Sequence, residues 1–363
     1  MGSSFSEMSR RLFLASAAGA ALASALPRSM FAVPAVPKRI ILDSDPGVDD
    51  AMAIFLALRS PEVKIEAITA VSGNVPLSLT LPNALRLLEI AGRPDIPVAS
   101  GAAVPLVRRL VTAKYAHGNN GLGGVEFPEP KLKPVAESAV ELMRKVIHAS
   151  PGEITIVAVG PLTNVAAALI SDPSLAAKIP EIVVMGGSLN GGNVTPSAEF
   201  NFYVDPEAAR IVFDAGVPLT MVGLNVTNRV QMRDEHIRVL EAAKNPVSQA
   251  AGKIMRATLD RLGKERQITG FGMHDPVTMA HVIDPTILTL KDYYVQIETT
   301  GELTAGESVA YSRAPMRASP PLNTALPPVE SPEAGFKPNC KVAVEADADK
   351  FFRLLLSRLT AVA

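Results

Sequence analysis

The sequence predicts an open α/β fold, a mostly parallel central sheet with helices on both faces. Three observations predict it. Short β-branched runs alternate with segments of helical spacing from Arg39 onward. Several runs stop at turn-forming or polar residues: Ser72-Gly73-Asn74, Gly160-Pro161, Gly186-Gly187 and Gly223. A crowd of acids, Asp43, Asp45, Asp49 and Asp50, follows the first run, and ligands bind at that address in such folds.

Before the fold comes a separate segment. Ser9-Arg10-Arg11-Leu12-Phe13-Leu14 precedes an Ala/Leu-rich run from Ala15 to Leu26. Paired arginines ahead of a moderately apolar stretch read as a bacterial twin-arginine export signal. The run is too short and too rich in alanine for a membrane span, so no stable membrane insertion is expected. Residues 1–37 are expected to be signal peptide and leader, cleaved after Ala25 or Ala32, with a periplasmic or secreted mature protein. A disordered basic leader is the plainer alternative.

The elements of the remaining 38–363 follow in order. Arg39–Leu42 reads as a buried strand and Ala51–Leu58 as a buried helix, with the acids on the loop between them and on the helix's first turn. Ile65–Val71 is strand-like and Pro82–Ala91 has helical spacing. Ile154–Val159 is a strand that turns into a helix for which Thr163 or Asn164 supplies a cap. Glu181–Met185 and Val217–Val222 are further strands. Arg313–Pro338, dense in Pro, Ser and Glu, reads as a surface loop, and Lys341–Leu359 as a strand and an amphipathic helix.

Composition narrows the function. With 363 residues, 48% of them hydrophobic, the chain builds a large core, and no Pro/Gly-rich linker divides it, so one domain is expected. A net charge of −1 gives no electrostatic footprint for nucleic acid or an anionic membrane. The single cysteine, Cys340, excludes an internal disulfide and a thiolate metal site.

Four close carboxylates repel one another, and a helix N-terminus offsets only part of that cost. A divalent cation offsets far more, and oxygen-only ligands favour Ca²⁺ or Mg²⁺. The plainer reading is that Asp49 and Asp50 cap the helix while Pro46-Gly47 makes a turn. Other polar residues share the address: Asn74 after one strand, Val159 at the end of another, Met185 at a third, then Asn193, Glu199 and Asn201 in a long loop. His274-Asp275-Pro276 opens a later helix. In a parallel sheet these strand ends converge on one crevice.

The motifs DSDPGVDDAMAI (43–54), VSGN (71–74), HGNNGLGG (117–124), GPLTNVA (160–166), VVMGGS (183–188), NVTPSAEFN (193–201) and MHDP (273–276) occur in that order. From about Lys38 to its end the chain thereby resembles the calcium-dependent nucleoside hydrolases of the inosine–uridine type. The resemblance implies a homodimer or homotetramer that cleaves the N-glycosidic bond of ribonucleosides to free base and ribose. It implies side-chain ligation of one Ca²⁺ by Asp45, Asp50 and Asp275, with the carbonyl of Val159, the ribose diol and a water completing the sphere. Asp49 would be the general base, and Asp43 would stand behind the ligands. Asn74, Asn193, Glu199 and Asn201 would hold the ribose beside Met185. His274 would act on the leaving base and His117 would flank it. Phe200 would join the substrate site, although Met185 and Phe200 are of types found more often in a core than against a ligand.

The chemistry suits such a site. N-ribosidic cleavage passes through a ribosyl cation, which a net negative cavity stabilises more than the neutral substrate. The same field repels phosphate, so nucleosides are expected over nucleotides. One departure concerns the base: Leu259–Gly272 holds no tyrosine where inosine- and uridine-preferring members tend to carry them, and the chain has no tryptophan. Lys264, Arg266 and Gln267 in that stretch contact a base or face water. Two alternatives remain at this point. A haloacid-dehalogenase-type phosphohydrolase would use Asp43 and Asp45 but leaves Asp49, Asp50 and the AEFN cluster without a role. A non-catalytic exported riboside binder would need no base at Asp49.

Overall fold

In the computed structural model, which describes residues 36–313 and 337–362, strand β1 (Lys38–Ser44) lies inside a nine-stranded sheet. Its side chains alternate between faces, so Ile40 and Leu42 enter one apolar core and Ile41 the other. Both faces are covered, which is why Ile40, Ile41 and Leu42 are apolar in succession.

The chain continues through α1 (Val48–Leu58), β2 (Val63–Ala70), α2 (Leu77–Ile90), β3 (Val98–Ser100), α3 (Lys114–His117) and α4 (Ala139–Ala149). Next come β4 (Ile154–Ala158), α5 (Thr163–Ser171), β5 (Ile182–Met185), α6 (Phe200–Val204), α7 (Pro206–Asp214), β6 (Leu219–Val222) and α8 (Leu224–Thr227). After them lie β7 (Gln231–Arg233), α9 (Asp234–Ala242), α10 (Pro246–Arg266), β8 (Gly270–Gly272) and α11 (His274–Ile283). The described chain closes with β9 (Leu288–Ile297), β10 (Ser308–Tyr311), β11 (Cys340–Ala346) and α12 (Ala348–Thr360).

The sheet order is β10-β9-β11-β6-β5-β4-β1-β2-β3. From β11 to β3 every neighbouring pair is parallel; β9 and β10 extend the sheet in antiparallel fashion. Helices α1, α2, α10, α11 and α12 cover one face, and α4, α5 and α7 the other. Strands β7 and β8 pair separately. The described residues from Pro37 onward pack as one compact unit.

Three local expectations change. Strand β1 runs on through Asp43 and Ser44, because β2 and β4 pair with it on both sides and the Val159 N–H donates to the Asp43 carbonyl. Asp43 is therefore a strand residue, not a loop residue. Helix α2 starts at Leu77 and contains Pro82, whose ring removes one backbone bond while buried Ala84, Leu85, Leu87 and Leu88 hold the helix. Neither Thr163 nor Asn164 caps α5. Thr163 Oγ1 donates to Asp205 Oδ2 at 2.6 Å, and Asn164 Nδ2 donates to Asp43 Oδ1 at 2.8 Å. The expected export signal falls on residues 1–35 and most of the expected Pro/Ser/Glu loop on 314–336, outside the described residues.

Candidate active site

The strands' C-terminal ends share one edge, and there β1 has β2 on one side and β4 on the other. The chain thus leaves β1 in one direction and later arrives beside it from the other, opening a crevice at that point. The acids stand over it. Asp50 accepts from Ser44 Oγ at 2.6 Å and from the Gly47 N–H at 2.9 Å, so it does reach back to cap α1. Asp49 caps nothing; its Oδ2 lies 3.5 Å from the Asp275 N–H.

Asn74 ties the group together. Its N–H donates to Asp45 Oδ2 at 2.7 Å, and its Nδ2 donates to Asp50 Oδ2 at 2.8 Å. Asp275 enters from the first turn of α11, which packs against α1. Asp49, Asp50 and Asp275 each bring one carboxylate oxygen into a cluster whose atoms all lie within 4.8 Å of one another. Asp45 Oδ1 and Asp43 Oδ2 are buried with no hydrogen-bond partner among the described residues.

Burial pushes Asp43, Asp45, Asp50 and Asp275 upward, and repulsion from neighbouring acids adds to it at Asp45, Asp50 and Asp275. Asp45 and Asp275 stand well above the usual carboxylate range, Asp50 is raised, and Asp43 is pushed up to about 7 by burial alone. Among the described residues no lysine or arginine pairs with these acids; the nearest basic group is the His117 imidazole, with Nδ1 3.9 Å from Asp49 Oδ1. An orphaned buried carboxylate oxygen and an uncompensated acid cluster built only of oxygen donors fit a hard divalent cation.

The amide and carboxylate half of the site is held by the backbone. Glu199 caps α6: its Oε1 accepts from the Asn201 N–H at 2.9 Å, and its Oε2 from the Gly187 and Phe202 N–H groups at 3.0 and 3.2 Å. Burial pushes Glu199 up to about 7 against the pull of those donors. Asn201 Nδ2 donates to the carbonyls of Val159 and Met185 at 3.0 and 3.1 Å, bridging the ends of β4 and β5. Asn193 Oδ1 accepts from the Phe200 N–H at 3.0 Å, closing the loop after β5.

A cavity of ≈ 260 Å³ opens on this network. It brings together Asp49, Asn74, His117, Val159, Met185, Asn193, Glu199, Phe200, Asn201, His274 and Asp275. Asp45 and Asp50 are fully buried beside it and are not among its lining residues.

Two imidazoles face this cavity. The Val48 N–H donates to His117 Nδ1 at 3.1 Å, which leaves Nε2 as the nitrogen that carries the hydrogen. Gly47 makes this possible, since a Cβ there would meet the His117 ring and the Asn74 amide. His274 Nδ1 is 2.8 Å from Thr227 Oγ1. Burial lowers both imidazoles, His117 to about 4.

Tyr115, Asn228 and Phe271 line the cavity as well, and Thr227 stands behind His274. Tyr115 supplies a ring from α3 to the same cavity that the tyrosine-free stretch 259–272 lines. No local pattern marks these residues; each arrives through packing of distant elements.

A family model described as inosine-uridine preferring nucleoside hydrolase matches residues 40–353. The chain is 44% identical over 323 residues to the pyrimidine-specific ribonucleoside hydrolase RihA of Citrobacter koseri, covering 88% of this chain and 97% of that protein. Its likeness to the RihA of Salmonella paratyphi A is 43% over the same span. Among solved structures, a plant nucleoside hydrolase superposes with a TM-score of 0.80 at 36% identity, covering 90% of this chain and 100% of that one. A purine-preferring ribonucleoside hydrolase from Gardnerella vaginalis gives 0.78 at 30% identity, covering 89% and 98%.

Proposed function

We propose, from the premise that the chain belongs to the inosine-uridine preferring nucleoside hydrolase family and is a ribonucleoside hydrolase, that it is an exported, calcium-dependent enzyme favouring pyrimidine ribonucleosides. The observation that carries this reading is the meeting of Asp49, Asp50 and Asp275 within 4.8 Å, against a cavity also lined by His117 and His274. The pyrimidine preference rests on the names of relatives 43–44% identical along nearly their whole length. Export by the twin-arginine route to the periplasm or medium rests on Arg10-Arg11 and the apolar run behind them.

Asp45, Asp50, Asp275 and the Val159 carbonyl would hold Ca²⁺. When bound, the ion would supply positive charge that lets the acids ionise side by side and makes a neighbouring water easier to deprotonate. The other roles belong to the chain's own groups. Asn74, Asn193, Glu199, Phe200, Asn201 and Met185 enclose the ribose, with Glu199 held rigid by three backbone donors. As the C1′–N bond lengthens, positive charge grows on the sugar and the surrounding carboxylates stabilise it. Asp49 accepts the proton of the attacking water, a step that contributes ~10²–10⁴-fold. His274, pinned at Nδ1 by Thr227, delivers a hydrogen to the departing base, and His117 donates to that base from Nε2.

No helix among the described residues is long and apolar enough to cross a membrane. A homodimer or homotetramer is the expected assembly, to be read from sedimentation.

Reducing-sugar release from uridine, cytidine, inosine and adenosine, with and without a calcium chelator, tests the reading. We expect uridine and cytidine to lead and chelation to stop release until calcium is restored. No release from any riboside by the folded, calcium-supplied protein would overturn the enzyme reading and leave the exported riboside binder.

A further inference from the structure

The cavity has two unlike walls. The sheet-edge wall is buried: Asp49 is 7% exposed, Asn74 6% and Glu199 2%. The outer wall is built by α3, α10 and β8, where Tyr115 is 49% exposed and Arg266 is exposed. A nucleoside whose ribose meets the buried wall places its base against the outer one.

Arg266 is built into that outer wall. It is the last residue of α10, and Gln267 behind it takes the left-handed conformation at φ 55°, the one non-glycine positive φ among the described residues. The chain turns sharply there, so Ile268, Phe271 and Gly272 return along the cavity. The Arg266 guanidinium sits 5.5 Å from the centre of the Tyr115 ring. Arg261, earlier on α10, donates to the Tyr115 carbonyl at 2.9 Å and reaches Glu265 at 3.5 Å. Arg266 contacts the ring, and no carboxylate among the described residues pairs with it. An unpaired guanidinium in the wall that faces a base is a permanent positive charge with donors in a planar fork. A cation over an exposed ring is held only weakly, so the fork is free to bond a second group.

We propose that Arg266, braced on Tyr115, takes up the negative charge that develops on the carbonyl oxygens of the leaving base. The inference rests on the hydrolase reading and names its substrate class: nucleosides whose base carries carbonyl oxygens conjugated with the glycosidic nitrogen, uridine foremost. When the C1′–N1 bond breaks, its electron pair goes to N1 and spreads to O2 and O4 of the base. Arg266 donates hydrogen bonds to those oxygens. The water oxygen bonds C1′, its proton passes to Asp49, and N1 is reprotonated from His274 or solvent. The products are ribose and the neutral base, with no other reactant.

The test compares the calcium-loaded wild-type protein with Arg266→Met on uridine and on 4-nitrophenyl riboside, whose leaving anion is stable without help. We expect kcat on uridine to fall roughly ten- to hundredfold, the range of a charge-assisted hydrogen bond. The fall on the nitrophenyl riboside should be several times smaller. Arg266→Lys should recover part of the uridine rate, because it keeps the charge without the fork. Tyr115→Leu, which leaves Arg266 in place without its ring, should shift the same ratio in the same direction. Equal losses on both substrates would make Arg266 a binding or positioning group and overturn the proposal, as would no loss on either. A wild-type protein inactive on both would instead sink the hydrolase reading itself.

Discussion

Thr227 Oγ1 and His274 Nδ1 lie 2.8 Å apart, one closing the short helix after β6 and the other opening α11. The contact orients the imidazole so that Nε2 is the nitrogen left for the cavity. Thr227 is fully buried and Thr→Val keeps its shape, so Thr227→Val should fold normally. Losing one hydrogen bond of about 1–1.5 kcal/mol should lower kcat on uridine about tenfold with little change in KM. A change in KM alone would assign Thr227 to packing.

The Asp49 carboxylate has a single close donor, the Asp275 N–H at 3.5 Å. Asp49→Asn should reduce kcat by ~10²–10⁴-fold. Calcium binding followed by calorimetry should persist. Loss of binding together with activity would place Asp49 among the ligands, as its position beside Asp50 and Asp275 also permits.

Two glycines leave room for Asp45. A Cβ on Gly160 would come within 2.7 Å of Asp45 Oδ1, and a Cβ on Gly73 would collide with Asp45 Oδ2. Gly160→Ala should displace that carboxylate and weaken calcium affinity by roughly ten- to hundredfold, as outer-shell changes at metal sites do. Unchanged affinity would remove Asp45 from the ligand set.

Calcium should also stabilise the fold, because it binds acids that burial and repulsion otherwise oppose. At a hundredfold excess over its Kd the ion contributes about 2.7 kcal/mol to unfolding free energy. A Tm measured with chelator should therefore lie clearly below one measured with calcium. Equal values would mean that the buried acids hold no ion.

Glu199 gives a pH signature. Burial pushes it up to about 7 from its ordinary 4.5. The fold therefore favours its protonated form, and the stability this contributes is full below about 4.5 and lost as pH rises through about 7. Glu199→Gln cannot titrate. The Tm of the variant relative to wild type should therefore rise as pH climbs through that window. A difference that stays constant with pH would show that Glu199 titrates normally.

Much of the frame was legible in the residue order. The runs Ile40–Leu42, Ile156–Val159 and Val183–Met185 are apolar on both faces, and such runs announce a covered parallel sheet. The acids of DSDPGVDD needed only the strand-to-helix turn between them to be placed over a crevice. Partner choice was less legible. Thr163 and Asn164 read as caps from their place at a helix start, yet Asn164 reaches Asp43, 121 positions away. Tyr115 and Arg266 come from α3 and α10, and nothing in either segment marks the other.

The division has one physical cause. Burial periodicity, turn chemistry and repulsion among neighbouring acids act within a few residues, so the chain's order alone specified the α/β sheet, the edge that carries the site and the acids that crowd it. Which hydroxyl pins His274, which amide bridges β4 and β5, and which ring braces Arg266 follow from how α8, α6 and α3 dock on distant elements. A buried donor or acceptor bonds whatever packing brings within reach, and that packing exists only once the chain has folded.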